Sequence, residues 1–149
     1  MRLISLLTVS ILWGCHLNTI VDHMVDMQKN EWPYPQVVKA NFEITDTAAT
    51  YQVNLKLRIN NEYRYSNLFI LAHFSNPEKR KTLRYQFKLA NKEGQWLGRG
   101  SGNIYAYKIP LKTNIRYSDT GKYSISIEQN MRDNPLAGVS DVGVEVIKK

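Results

Sequence analysis

Apolar and polar residues alternate through most of this chain. In the strictest run Tyr51, Val53, Leu55, Leu57 and Ile59 take one side, with Gln52, Asn54, Lys56, Arg58 and Asn60 on the other. Successive strand side chains point to opposite faces, so the run predicts a strand of an antiparallel sheet with one dry and one wet face. The same period sets Val38, Ala40, Phe42 and Ile44 against Lys39, Asn41 and Glu43. It sets Leu83, Tyr85, Phe87 and Leu89 against Thr82, Arg84, Gln86 and Lys88. Tyr123, Ile125 and Ile127 oppose Ser124, Ser126 and Glu128, and Val142, Val144 and Val146 oppose Gly143, Glu145 and Ile147. Residues 68–74 are apolar almost throughout, which predicts a central strand covered on both faces. A strand over 103–111 is expected to stop at Pro110, because proline lacks a ladder donor and belongs at an edge or a strand terminus. Residues 16–29 read as a tether that becomes an early strand. Glu31–Pro35 breaks any regular element, with Trp32 and Tyr34 packing that turn onto the domain.

Short polar turns separate these runs. Asp46 in Thr45–Thr50 is placed to bond nearby backbone. No stretch has the period of a normal-length amphipathic helix. About eight strands joined in this way predict an all-β, antiparallel β-sandwich, either immunoglobulin-like or jelly-roll-like. Asp119-Thr120-Gly121-Lys122-Tyr123 resembles a tyrosine corner, in which the Tyr hydroxyl bonds back to local backbone.

The amino-terminal segment follows another pattern. Met1-Arg2 is a short positive region, and Leu3–Trp13 is apolar over the length of a signal-peptide core. It is too short to span a bilayer, which takes about 20 residues. Gly14-Cys15 follows, where a lipoprotein signal would be cut and the new terminal thiol acylated, although Trp13 fills a position usually held by a small residue. A plain secretory signal with an unrelated cysteine is the alternative. The expected division is a lipoprotein signal peptide over 1–14, a lipidated tether and first strand over 15–35, and the sandwich over 36–149. Cys15 is the single cysteine, so no internal disulfide can form.

The chain of 149 residues carries 20 Lys and Arg against 13 Asp and Glu, a formal +7. For an exported domain that balance suits a generally solvated basic surface first, and anionic lipid or an acidic protein partner after it, but not nucleic acid. Lys79-Arg80-Lys81, Arg84, Lys88 and Lys92 concentrate the charge on one hairpin, where it also suits protection of a sheet edge.

Catalytic signatures are absent. His16, His23 and His73 have no metal-ligand spacing, so no metal and no cofactor is expected. No nucleophile elbow, phosphate loop or dinucleotide fingerprint occurs, and no catalytic residue is assigned. The scattered carboxylates include no signature for the facing pair a glycosidase needs. Trp96–Gly102 is the most glycine-dense stretch, expected to hold bulges, positive φ or a close backbone approach. Tyr105 and Tyr107 share a strand face beside it, and an exposed row of such rings could stack on a glycan. Rings of this kind also fill cores and interfaces. Trp96, Arg99, Tyr105, Tyr107 and, in the 131–141 loop, Arg132 are the candidate interaction residues.

Four stretches, in order, resemble the gliding-motility lipoprotein GldH family of the Bacteroidota. They are Phe42–Thr47, Tyr65–Phe69, Gly94–Gly100, and Tyr123–Arg132 followed by Val139–Gly143. Cys15 aligns with the family's acylated cysteine. The resemblance implies a non-catalytic lipoprotein of the cell envelope, held in a membrane by its lipid, facing the periplasm. It further implies an accessory or scaffold role among envelope proteins of gliding and type IX secretion. A glycan- or peptidoglycan-binding module is the alternative function.

Overall fold

The computed structural model describes residues 18–149, so Cys15 and the expected signal segment lie outside it. The chain forms β1 (Asn18–Asp26), β2 (Glu31–Trp32), β3 (Val38–Ile44), β4 (Tyr51–Asn60), β5 (Asn67–Ser75) and β6 (Arg80–Lys88). It continues through β7 (Arg99–Ser101), β8 (Ile104–Ile115), β9 (Gly121–Gln129), β10 (Leu136–Ala137) and β11 (Val139–Lys148). A short 3₁₀ turn, Gln28–Asn30, is the one helical element among the described residues. The strands build a five-stranded sheet in the order β1-β11-β4-β8-β7 and a four-stranded sheet in the order β3-β9-β5-β6. A two-stranded patch, β10-β2, closes one end. Every pairing is antiparallel, which is the all-β sandwich the alternation predicts.

The dry positions meet between the sheets. Val53, Leu55, Leu57 and Ile59 of β4 and Val142, Val144 and Val146 of β11 are at most 1% exposed. They face Val38, Ala40 and Ile44 of β3, Leu68, Ile70 and Ala72 of β5, and Ile125 and Ile127 of β9. Each large side chain buried in this way is worth about 1.5–3 kcal/mol. β5 lies between β9 and β6, the central place its apolar run implies. Trp32 is fully buried and its Nε1 donates to the Gln36 carbonyl (2.8 Å), while the Tyr34 hydroxyl donates to the Met131 carbonyl (2.7 Å). The proline-rich turn is thereby fixed to the domain. Tyr123 makes the corner contact, its hydroxyl donating to the Asp119 carbonyl at 2.9 Å. Asp46 Oδ1 accepts from the Ala48 amide (2.9 Å).

Two expectations need correction. The strand containing Pro110 does not stop there but runs on to Ile115. Pro110 pairs with Asn54 and Lys112 with Val53, which leaves Leu111 as an extra, buried residue in a bulge. β7 pairs only with Ile104–Ala106, so the proline lies on a free edge, where no donor is needed. The second correction concerns the supposedly wet face of β4 and β11. Asn54 is 0%, Asp141 5% and Glu145 7% exposed. Long side chains from neighbouring strands lie across these positions and bond to them. Alternation specifies which side a residue takes, not what covers that side.

The strand expected within 16–29 is β1. It pairs with β11 along its length, from Asn18 opposite Lys148 to Asp26 opposite Asp141, with one bulge near Val21. The sandwich therefore takes in residues from Asn18 onward.

Candidate functional site: an aromatic corner and its basic rim

The glycine-dense stretch forms a corner beside β8. Gly102 (φ 65°) stands in the turn between β7 and β8, where Ser101 pairs with Ile104. A Cβ on Gly98 would lie 2.7 Å from the Tyr107 ring, and one on Gly100 would lie 3.2 Å from the Tyr105 ring. The glycines thus leave a floor on which the two tyrosines lie. The Tyr107 hydroxyl reaches across to donate to the Leu89 carbonyl (2.7 Å). Burial raises its pKa above the ordinary phenol value.

Trp96 packs at 5.8 Å from Tyr105 and 6.1 Å from Tyr63, and Tyr63 sits edge-on to Tyr65 at 6.0 Å. Burial pushes the Tyr63 phenol far above its usual pKa. The Tyr65 hydroxyl donates to Asp133 Oδ2 at 2.5 Å, a bond that also raises its own pKa. One chain of ring contacts therefore connects the corner to the 131–137 loop. That loop is held from several directions. The Met131 amide donates to Gln129 Oε1 (2.8 Å), Gln129 Nε2 to the Asp133 carbonyl (2.8 Å), and the Tyr34 amide to Asn134 Oδ1 (2.9 Å). Asn134-Pro135 is a cis peptide.

The candidate residues fall into two groups. Trp96, Tyr105 and Tyr107 are half-buried and packed against the core, so they form no flat, open row of rings. Arg99 pairs with Ala106 and so takes the opposite face from Tyr105, exposed to solvent. Arg132 is exposed on the loop next to Asp133. Beside Arg99, the exposed Leu97 and Lys108 and the half-buried Lys56 and Gly98 help line an open groove of about 490 Å³. The corner therefore offers an apolar side chain and flanking cations on a rigid aromatic support, a composition suited to contact with another protein. Leu97 is 56% exposed, the most exposed large apolar residue among those described; it lies within the glycine-dense stretch but is not among the candidate residues. Its signal was a lone leucine between Trp96 and Gly98, outside any alternating run.

The same face carries the buried carboxylates Asp141 and Glu145 and the exposed Asp22. Glu145 accepts from Asn54 Nδ2 (2.7 Å) and pairs with Lys108 (2.6 Å). Asp22 pairs with Lys56 (2.8 Å). Asp141 pairs with Arg58 (2.5 Å) and lies beside Asp26 in the β1–β11 register. Burial raises the pKa of Asp141; the Asp26 carboxyl adds to the rise, and Arg58 opposes it. On the other sheet, His73 bonds Thr82 Oγ1 (2.7 Å) and Glu128 Oε1 (3.2 Å). No group of three or more His, Cys, Asp or Glu side chains among the described residues is arranged to hold a metal ion. No helix among them is long and apolar enough to cross a membrane.

No solved structure matches the chain. The gliding motility lipoprotein GldH homolog of Christiangramia forsetii is 31% identical, covering 97% of this chain and 93% of that protein. The gliding motility lipoprotein GldH of Flavobacterium johnsoniae is 29% identical, covering 98% of this chain and 95% of its own. The profile of the GldH lipoprotein family matches residues 19–146, from the second residue of β1 almost to the end of β11. With nearly the whole sandwich matched, the chain belongs to the GldH lipoprotein family.

Proposed function

We propose that this protein is a non-catalytic, membrane-anchored lipoprotein of the cell envelope that serves as an accessory or scaffold component of gliding motility and type IX secretion. The observation that carries the reading is the family match across the sandwich, together with the gliding-motility names of relatives aligned over almost their full length. In this reading the signal over residues 1–14 is removed, Cys15 is acylated, and the domain faces the periplasm. Two acyl signals hold a protein stably at a bilayer, since each buried CH₂ contributes about 0.8 kcal/mol. The corner around Leu97 and Arg99, with Arg132 on the adjoining loop, is the contact surface for other envelope proteins of the machinery. Its rigid support favours docking, because little ordering entropy remains to be lost on binding.

Deletion of the gene in a gliding host tests the role. Colony spreading and secretion of type IX cargo are expected to fall together, and Cys15→Ser is expected to reproduce part of the loss. In-cell crosslinking with mass spectrometry should recover envelope partners from the wild type and several-fold fewer from Arg99→Ala/Arg132→Ala. A deletion strain that spreads and secretes normally overturns the proposal.

A further inference from the structure

The two ends of the sandwich differ in charge. At one end lie Asn18, the β3–β4, β5–β6 and β8–β9 connections, and the carboxyl terminus, as the registers of Asn18 with Lys148, Lys148 with Tyr51 and Tyr51 with Ile115 require. This end carries Lys79, Arg80, Lys81, Lys112, Arg116 and Lys122 against Glu43, Glu78 and Asp119. None of these is ion-paired among the described residues, whereas Lys148 is neutralised by Asp46 at 2.7 Å. The loops at the opposite end balance Lys29, Arg64, Lys92 and Arg132 against Glu31, Glu62, Glu93 and Asp133.

The basic end also holds a cleft of about 150 Å³ between the sheets. Phe74, Ile115 and Tyr117 form apolar walls, Lys79, Lys81 and Lys112 stand around it, and no carboxylate lines it. Lys112 Nζ lies 3.8 Å from the centre of the Phe74 ring. Partial burial, and Lys81 nearby, lower its pKa, an imbalance that a bound anion would relieve. Ser75 and Ser124 add hydroxyl donors to the lining.

Chain length fixes what this end can reach. Cys15 precedes Asn18, the first residue of β1, by three residues. Three residues span at most about 11 Å when fully extended. A lipid on Cys15 would therefore hold the Asn18 end within that distance of the headgroups, with the lysines at the same end of the sandwich, across the sheets from β1. We propose that this end of the sandwich rests on the bilayer and that the lysine-rimmed cleft takes the phosphate headgroup of an anionic phospholipid. The proposal rests on the acylation of Cys15 put forward above. Near an anionic leaflet each lysine adds about fivefold to the attraction, so the end with the excess of cations is favoured over the balanced one.

The test uses full-length protein recovered from membranes, with its intact mass reporting whether acyl chains are present. It is labelled with a water-soluble amine reagent in detergent, in phosphatidylcholine vesicles, and in phosphatidylcholine–phosphatidylglycerol vesicles, and lysine modification is read by mass spectrometry. Labelling of Lys79, Lys81 and Lys112 is expected to drop several-fold in the anionic vesicles and less in the zwitterionic ones, while Lys29 and Lys92 stay unchanged. Lys81→Glu/Lys112→Glu, changed at the rim and not in the core, should abolish the protection of Lys79 and leave Lys29 unaffected. Acylated protein whose lysines label alike in every condition overturns the orientation and leaves acylation standing. Protein without acyl chains removes the acylation reading, and this proposal with it. Protection by millimolar inorganic phosphate in detergent, with none added by vesicles, would make the cleft a site for a soluble anion and overturn the bilayer contact.

Discussion

Gly138 shows how narrowly single positions are specified. Its φ is 81°, and a Cβ there would lie 2.1 Å from the Tyr63 amide nitrogen. Its own amide donates to the Asn30 carbonyl (2.8 Å), and its carbonyl accepts from the Asn60 amide (2.9 Å). Backbone on every side leaves nothing free to yield. Gly138→Ala should cost about 3 kcal/mol, combining backbone strain with overpacking, and a lowered urea midpoint at unchanged slope would register it. The Asp26–Asp141 pair gives a pH prediction. A carboxyl whose pKa is raised by folding holds its proton more tightly in the native state than in the unfolded chain. Stability therefore falls as pH rises from the ordinary value of 3.8 through the native pKa of Asp141, and stays at the lower level above it. Asp26→Asn removes one contribution to the rise. It should flatten that part of the profile and raise stability near neutrality, as seen in thermal midpoints across a pH series. Neither feature was legible in advance. Gly138 reads only as part of the 131–141 loop, and Asp141 becomes special because β1 brings Asp26 beside it from the far end of the sequence.

Among the elements, those with strict alternation were legible, because a period of two puts the core side of a strand beyond doubt and leaves only its neighbours to be found. β3, β4, β9 and β11 are such strands. The neighbours depended on contacts distant in sequence. Tyr105 and Tyr107 were correctly placed on one face, yet their packing depended on Gly98 and Gly100 being bare enough to lie beneath them. β6 shows charge and position agreeing. It is the outermost strand of its sheet, and Arg84 and Lys88 are exposed along it. Arg84 also caps the Phe69 ring at 4.1 Å and donates from Nε to Asn130 Oδ1 (2.8 Å). Charge on an edge strand discourages pairing with another chain. Replacing Arg84 and Lys88 together by valine should lower the stability by about 1 kcal/mol or less, read from the denaturant midpoint. Aggregation at the same protein concentration should become markedly faster, as followed by light scattering and thioflavin fluorescence.

For the whole molecule, anchoring and fold are one geometric problem. The segment read from sequence as a tether that becomes a strand is strand from Asn18 to Asp26, held by β11 along its length. What remains between Cys15 and the sandwich is too short to let the body turn freely, so a lipid there would constrain orientation as well as location. The net charge of +7 then acquires a direction, because the end that holds Asn18 carries more cations than carboxylates. Inserting about 20 Gly and Ser residues between Leu17 and Asn18 separates the two effects, since such a linker spans roughly 25 Å on average. With acylation intact, the long-tethered protein should still float with vesicles. If the short connection enforces the contact, Lys79 and Lys81 should label several-fold faster than in the uninserted protein on phosphatidylcholine vesicles, where charge attraction is weak. On vesicles with phosphatidylglycerol the difference should shrink at low salt and return at high salt, as a Debye length of about 10 Å at 0.1 M contracts to about 3 Å at 1 M. Equal labelling with and without the linker under every condition would mean that the short connection does not set the orientation.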